Sequence, residues 1–169
     1  MNNKILKEMK LSLSFLFILF LSLSLFSCTS EPELPTAEEA KAAVWEKIQY
    51  ANDKWEAGDP TGFMDIVAED VIWVDDLGAM IPINGKEALV KYIEPYVGQI
   101  PPHTKELLNP MFQFFGEIVI VNYRYLGTFD GVAGTPWKIT SVFRYADGDW
   151  LSVHENWSEV EPPPQAPSE

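Results

Sequence analysis

The chain has 169 residues, a formal net charge of −13, 47% hydrophobic and 13% aromatic residues, and a single cysteine. That length suits one folded domain. The acidic balance argues against nucleic acid and anionic headgroups as partners, and a lone thiol excludes an internal disulfide.

In chain order the first element is a basic start with Lys4, Lys7 and Lys10, followed by an uncharged stretch from Leu11 to Phe26 and the small Ser27. This is the three-part layout of a secretory signal. Leu25-Phe26-Ser27-Cys28 resembles the lipobox of bacterial lipoproteins, in which the cysteine takes a diacylglycerol and becomes the mature N-terminus. The apolar stretch, about 16 residues, is shorter than the roughly 20 that cross a bilayer as a helix. The expectation is therefore a signal peptide over 1–27, a flexible tether over 28–35 from lipidated Cys28, a folded body over 36–160 and a disordered tail over 161–169. The implied address is the cell envelope of a Gram-negative bacterium, on the outer membrane, with the lipid as the membrane contact.

The body opens with Thr36 and Glu39 at capping-box spacing, then Ala40, Val44, Ile48, Ala51 and Trp55 on one helical face. Gly58 ends that helix, and Asp59-Pro60 predicts a short second one carrying Phe63, Ile66 and Val67. Val71 to Asp76 reads as a strand, Asn84-Gly85 as a turn, and Lys86 to Glu94 as a third helix stopped by Pro95. Four long strands follow, over Thr104–Phe115, Glu117–Phe129, Thr135–Ala146 and Trp150–Val160, separated by hairpin signals such as Asp147-Gly148. Helices first and an antiparallel meander afterwards predict an α+β domain.

Strand alternation predicts which side chains face inward. Val119, Val121, Tyr123 and Tyr125 share one face, as do Trp137, Ile139, Ser141, Phe143 and Tyr145. In the last strand Leu151, Val153, Glu155 and Trp157 fall together, with His154 opposite. In the first, Ile72, Val74 and Asp76 are expected inward and Asp75 outward. A carboxylate on a buried face raises its pKa toward the range useful for proton transfer, which makes Asp76 and Glu155 the candidate catalytic residues. His103, after two prolines, is expected in an exposed loop.

The segments AEDVIWVDDLG, INGKEALVKYI and WKITSVFRYADGDWLSVHENWSEV, in this order of elements, resemble the nuclear-transport-factor-2-like superfamily in its SnoaL-like and ketosteroid-isomerase-like branches. The resemblance implies a cone-shaped barrel of a strongly curved sheet covered by helices, an apolar pocket between them, and homodimers formed through the outer sheet face. It also places Asp76 on the carboxylate that shuttles a proton beside a carbonyl. It sets Ala51, with Tyr50 one step away, at the oxyanion-binding tyrosine, and Ser141 at the buried partner acid. Pocket-wall candidates are Tyr50, Trp55, Val74, Tyr123, Tyr125, Ser141, Phe143 and Trp157.

Two distant histidines and no free thiol leave no zinc site, and no dinucleotide or phosphate loop is present, so neither a metal nor a cofactor is expected. Three functions follow. The first is binding of a small apolar or amphipathic molecule in an aromatic-lined pocket. The second is a cofactor-free isomerase, cyclase or dehydratase with Asp76 as general base. The third is a dimeric assembly platform in an envelope complex.

Overall fold

The computed structural model describes residues 34–76 and 81–160. The expected signal peptide over 1–27, Cys28, most of the expected tether and the expected tail over 161–169 lie outside the described residues. No helix among the described residues is long and apolar enough to cross a membrane.

Helix α1 (Ala37–Glu56) starts at the predicted capping box: the Thr36 Oγ1 accepts the Glu39 N–H at 3.4 Å, and Glu39 Oε2 accepts the Thr36 N–H at 2.8 Å. Its face of Ala40, Val44, Ile48 and Ala51 is buried, together with Asn52. After Ala57 the backbone turns at Gly58, whose φ is +88° and where a Cβ would stand 2.6 Å from the Ile100 carbonyl oxygen. Gly58→Ala thus combines left-handed strain with a backbone clash. It is expected to lower stability by about 2 kcal/mol or more, read as a fall in the urea midpoint with an unchanged slope.

Asp59 Oδ1 accepts the Thr61 N–H at 2.9 Å, and helix α2 (Gly62–Ile66) begins two residues later than Asp59-Pro60 suggests. Strand β1 (Val67–Asp75) follows without a loop. Then come β2 (Ile83–Asn84), helix α3 (Lys86–Ile93) and a 3-10 turn over Glu94–Tyr96. The remaining strands are β3 (Thr104–Phe115), β4 (Ile118–Phe129), the two-residue β5 (Val132–Ala133), β6 (Trp137–Ala146) and β7 (Asp149–Glu159).

These strands form one sheet in the order β2-β1-β7-β6-β4-β3, with β5 added on β4. All pairs are antiparallel except β1 with β7. The α+β class holds, but the cone-shaped barrel does not: the order has two ends, the sheet is neither closed nor strongly curled, and β2 is only two residues long. A stub of that length cannot carry a ladder from β1 round to β3, so helices rather than strands cover the inner face. α1 packs against β3, β4 and β7, and α3 against β1.

Two register features decide which side chains reach that inner face. In β1 the buried residues are Val67, Ala68, Val71, Trp73 and Asp75, while Ile72 is 41% exposed and Asp76 is exposed. The expected phase of Ile72, Val74 and Asp76 is therefore inverted. In β7, Val142 of β6 lies opposite His154 but Phe143 lies opposite Ser152, so Val153 is an extra residue, a β-bulge. Trp150 and Ser152 are buried before the bulge, and Glu155 and Trp157 after it. The expected inward placement of Leu151 and Val153 is corrected accordingly, and His154 shares the outer face with Val142.

Candidate functional site

The inner side chains of β1 and β7 meet α1, α2 and α3 at a cleft. β1 supplies Trp73 and Asp75, two residues apart and so on one face. β7 supplies Trp157, the last turn of α1 Trp55, α2 Phe63, the end of α3 Tyr92 and Ile93, and the following turn Tyr96. The space, counted out past its open mouth into solvent, is about 430 Å³.

The rings set its walls. Trp73 and Trp157 stack at 6.1 Å and 17°, and Phe63 stands edge-on to both, at 5.6 and 5.3 Å. Trp55 meets Phe63 at 5.9 Å, and Tyr92 meets Tyr96 at 5.7 Å. Such edge and offset contacts are the favoured arrangements of aromatic quadrupoles.

Asp75, 4% exposed, is the carboxylate among the described residues that line this cleft. Its Oδ2 accepts the Trp73 Nε1–H at 2.6 Å and its Oδ1 accepts the Tyr92 hydroxyl at 2.9 Å. Burial, and then the hydrogen bond to Asp75, push the Tyr92 phenol well above its ordinary range, so it stays a proton donor at neutral pH.

A second buried acid lies one step along β7. Glu155, 2% exposed, accepts the Ser141 hydroxyl on Oε2 and the Ser152 hydroxyl on Oε1, both at 2.6 Å. Burial pushes its carboxyl up to about 7, while the two serines and the nearby Trp157 indole pull it back. Burial and the Glu155 charge in turn raise the Tyr123 phenol. Glu155 does not line the cleft, but Trp157 touches both.

The sequence-predicted residues separate into three groups. Trp55 and Trp157 line the cleft. Tyr123, Tyr125, Ser141 and Phe143 are buried in the core, with Ser141 holding Glu155. Tyr50, Val74 and Asp76 lie away from the cleft. Tyr50 is 44% exposed and donates to Asp65 Oδ2 at 2.7 Å, and Val74 faces the outer side of the sheet. Asp76 is a strand-end link: its N–H donates to the Trp157 carbonyl at 3.2 Å and its Oδ2 accepts the Glu159 N–H at 3.0 Å.

His103, expected to be exposed, is buried instead. Its ring stacks on Phe129 at 4.3 Å, contacts the Pro101 carbonyl through Nδ1 at 3.0 Å, and makes a short hydrogen bond to the Tyr125 hydroxyl. The residues that sequence reasoning missed are Phe63, Trp73, Asp75, Tyr92 and Tyr96. The usable signals were Trp73 two residues before Asp75, which marks a common face, and Tyr92 with Tyr96 at helical spacing. Among the described residues no group of three or more His, Cys, Asp or Glu is placed to hold a metal ion.

Comparison with solved structures returns the same fold. A protein of Parabacteroides distasonis described as a candidate ketosteroid isomerase is 26% identical, with 68% of this chain and 86% of that one covered at a TM-score of 0.58. A nuclear-transport-factor-2-like protein of unknown function from Pseudomonas putida is 21% identical over 75% and 89% of the two chains, TM-score 0.63. A cystatin-like-fold protein from Nostoc punctiforme is 14% identical over 76% and 96%, TM-score 0.64. The latter two speak to fold alone. No curated protein matches the chain. The SnoaL-like domain pattern matches residues 48–153, from the middle of α1 to the bulge of β7, and the chain belongs to that family.

Proposed function

We propose that the domain is a cofactor-free acid–base enzyme of the isomerase, cyclase or dehydratase type, acting on a small, largely apolar carbonyl compound, with Asp75 rather than Asp76 as the general base. The observation that carries this reading is a buried carboxylate, gripped by Trp73 and Tyr92, on the wall of an aromatic cleft. The resemblance to the Parabacteroides distasonis protein supports it. Asp75 takes a proton from the carbon beside the carbonyl, leaving the enolate, and returns that proton to carbon as the carbonyl re-forms. Tyr92, held protonated, offers the hydrogen bond that steadies the carboxylate between turnovers, and apolar walls keep water from competing. Retention of a ligand without turnover is the second reading, favoured because both carboxylate oxygens already hold donors.

The test is proton exchange in heavy water on a panel of small cyclic ketones and enones, followed by NMR. Asp75→Asn is expected to slow exchange by roughly 10²- to 10⁴-fold, whereas Asp76→Asn leaves it unchanged. Equal rates in wild type and Asp75→Asn, with substrate still bound, would leave only the binding reading.

The location is proposed on the sequence alone: Cys28 carries the lipid that tethers the domain to the envelope. Cys28→Ala is then expected to move the protein from the membrane fraction to the soluble one and to abolish labelling by a radioactive fatty acid.

A further inference from the structure

We infer that Glu155 and Ser152 form a proton-controlled latch on the β7 bulge, and that the latched form is the one that holds Trp157 in the cleft wall beside Asp75. The inference rests on the proposed function only in taking that cleft as the reacting site; the latch itself works without substrate.

The bulge decides what the cleft contains. Ser152 and Trp157 are both buried, although they stand an odd number of residues apart, a spacing that plain alternation puts on opposite faces. The extra residue Val153 restores the phase, since Val142 lies opposite His154 and Phe143 opposite Ser152. Beyond it β7 runs along β1 with Glu155 beside Trp73 and Trp157 beside Asp75. Counted from Ser152 without the bulge, His154 and Asn156 would turn inward and Glu155 and Trp157 outward.

The Ser152 hydroxyl has more acceptors around it than protons to give. Its Oγ stands 2.6 Å from Glu155 Oε1, 3.3 Å from the His154 carbonyl oxygen and 3.4 Å from that of Val142, and its single proton serves one of them at a time. With Glu155 ionised, that proton goes to the carboxylate, the strongest acceptor of the set. With Glu155 protonated, the carboxyl O–H donates to Ser152 Oγ, and Ser152 turns its own proton to a carbonyl beside the bulge, which ties the distorted stretch of β7 in place. Ser141 offers no such route, because the acceptor of its hydroxyl is Glu155 Oε2 itself, at 2.6 Å.

Both forms are within reach near neutral pH, because burial pushes the Glu155 carboxyl up to about 7. The groups around it do not compete for that proton. From β4 comes Tyr123, whose phenol burial keeps protonated, and from β6 Ser141. On β1 the neighbour is Trp73, with Asp75 lying beside Trp157 instead. His154 is on the outer face, and His103 lies beyond Tyr125, to which it is bonded. Helices α1 and α2 keep their charges at the surface, where Lys47 bonds Asp149 and both Tyr50 and Lys54 bond Asp65.

Amide hydrogen exchange of the full-length protein, read by NMR as protection factors so that the chemical rate drops out, tests the latch at residues 153–157. At about pH 5 wild type and Glu155→Gln are expected to protect these amides equally, and Ser152→Ala about tenfold less. At about pH 8 Glu155→Gln is expected to keep its protection while wild type falls to the level of Ser152→Ala. A purely structural Glu155 would not produce this crossover. Should Glu155→Gln fail to fold, wild type against Ser152→Ala carries the same test, since their difference is expected at the lower pH and not at the higher.

Wild type matching Glu155→Gln at both pH values overturns the inference, and so does Ser152→Ala matching wild type at the lower one. The heavy-water exchange assay on ketones adds the positioning half: the ratio of wild-type to Glu155→Gln rates is expected to fall about tenfold between the same two pH values, and a constant ratio in active proteins overturns that half. The protection pattern together with no ketone exchange by any variant leaves the latch standing and removes the catalytic reading of Asp75.

Discussion

Above neutral pH the wild-type domain is expected to be less stable than Glu155→Gln, by roughly 3 kcal/mol, and the gap should vanish on acidification. The cause is the burial of Glu155, which pushes its carboxyl from an ordinary value near 4.5 up to about 7 in the folded state. Between those two values the folded protein holds a proton that the unfolded chain releases. The stabilisation is therefore complete below about 4.5 and is lost as pH rises through about 7. Glutamine mimics the protonated acid, and the Ser141 and Ser152 hydroxyls can rotate to accept from its amide as well as to donate to its carbonyl.

The comparison of two unfolding curves matters because other carboxylates pull the opposite way. Hydrogen bonds to Lys105 lower Glu56, those to Thr61 lower Asp59, and the Arg144 guanidinium lowers Asp70, so each of these loses its stabilisation as the solution becomes acid. Urea titrations of both proteins at several pH values cancel these shared contributions. Parallel curves from about pH 5 to about pH 8 would mean that Glu155 is not buried as described.

Trp157→Ala should cost about 3–5 kcal/mol, a large share of the 5–15 kcal/mol that typically holds a domain together. The indole is 6% exposed and is in ring contact with Phe63, Trp73 and Tyr125. Removing it leaves a void at the junction of β1, β7 and α2 that stiff strands close poorly. Trp157→Phe keeps much of the ring contact and is expected to cost less than half as much. Denaturant unfolding measures both, and ligand titration should show Trp157→Ala losing the cleft wall even where the fold survives. A cost below about 1 kcal/mol for Trp157→Ala would indicate that this wall is loosely packed.

How much of this was legible in the sequence depends on how many alternatives each segment left open. The capping box at Thr36 and Glu39 fixed the start of α1, and the Asp147-Gly148 turn marked the β6–β7 hairpin, because few other conformations satisfy those residues. β4 and β6 alternate cleanly, and their inner faces follow. β1 is different: Val71, Ile72, Trp73 and Val74 are all apolar, so pattern alone is blind to phase. The larger indole of Trp73 fills the space between Phe63 and Trp157, and that packing sends Asp75 inward and Asp76 out.

In β7 the inward position of Glu155 is compatible with simple alternation, but the strand reaches it through a bulge that also turns Trp150 and Ser152 inward. No local residue pattern announces that extra residue. His103 was misjudged because its burial depends on Tyr125 and Phe129, more than twenty residues away. The openness of the sheet is likewise a matter of how short β2 is, which a pattern of apolar residues does not record.

The strand order carries a consequence for how the chain acquires its structure. β7 is the last of the described strands in chain order, yet it lies between β1 and β6, and its parallel partner β1 is about eighty residues earlier. The β3–β4 and β4–β6 hairpins can zip as they are synthesised, but β1, α2 and α3 have no sheet to join until β7 is in place. Pairing of such sequence-distant segments must meet a large entropy of closure before any contact rewards it. The nascent polypeptide therefore remains partly unstructured until β7 has been made, with Phe63 and Trp73 exposed in the meantime to whatever chaperone accompanies it.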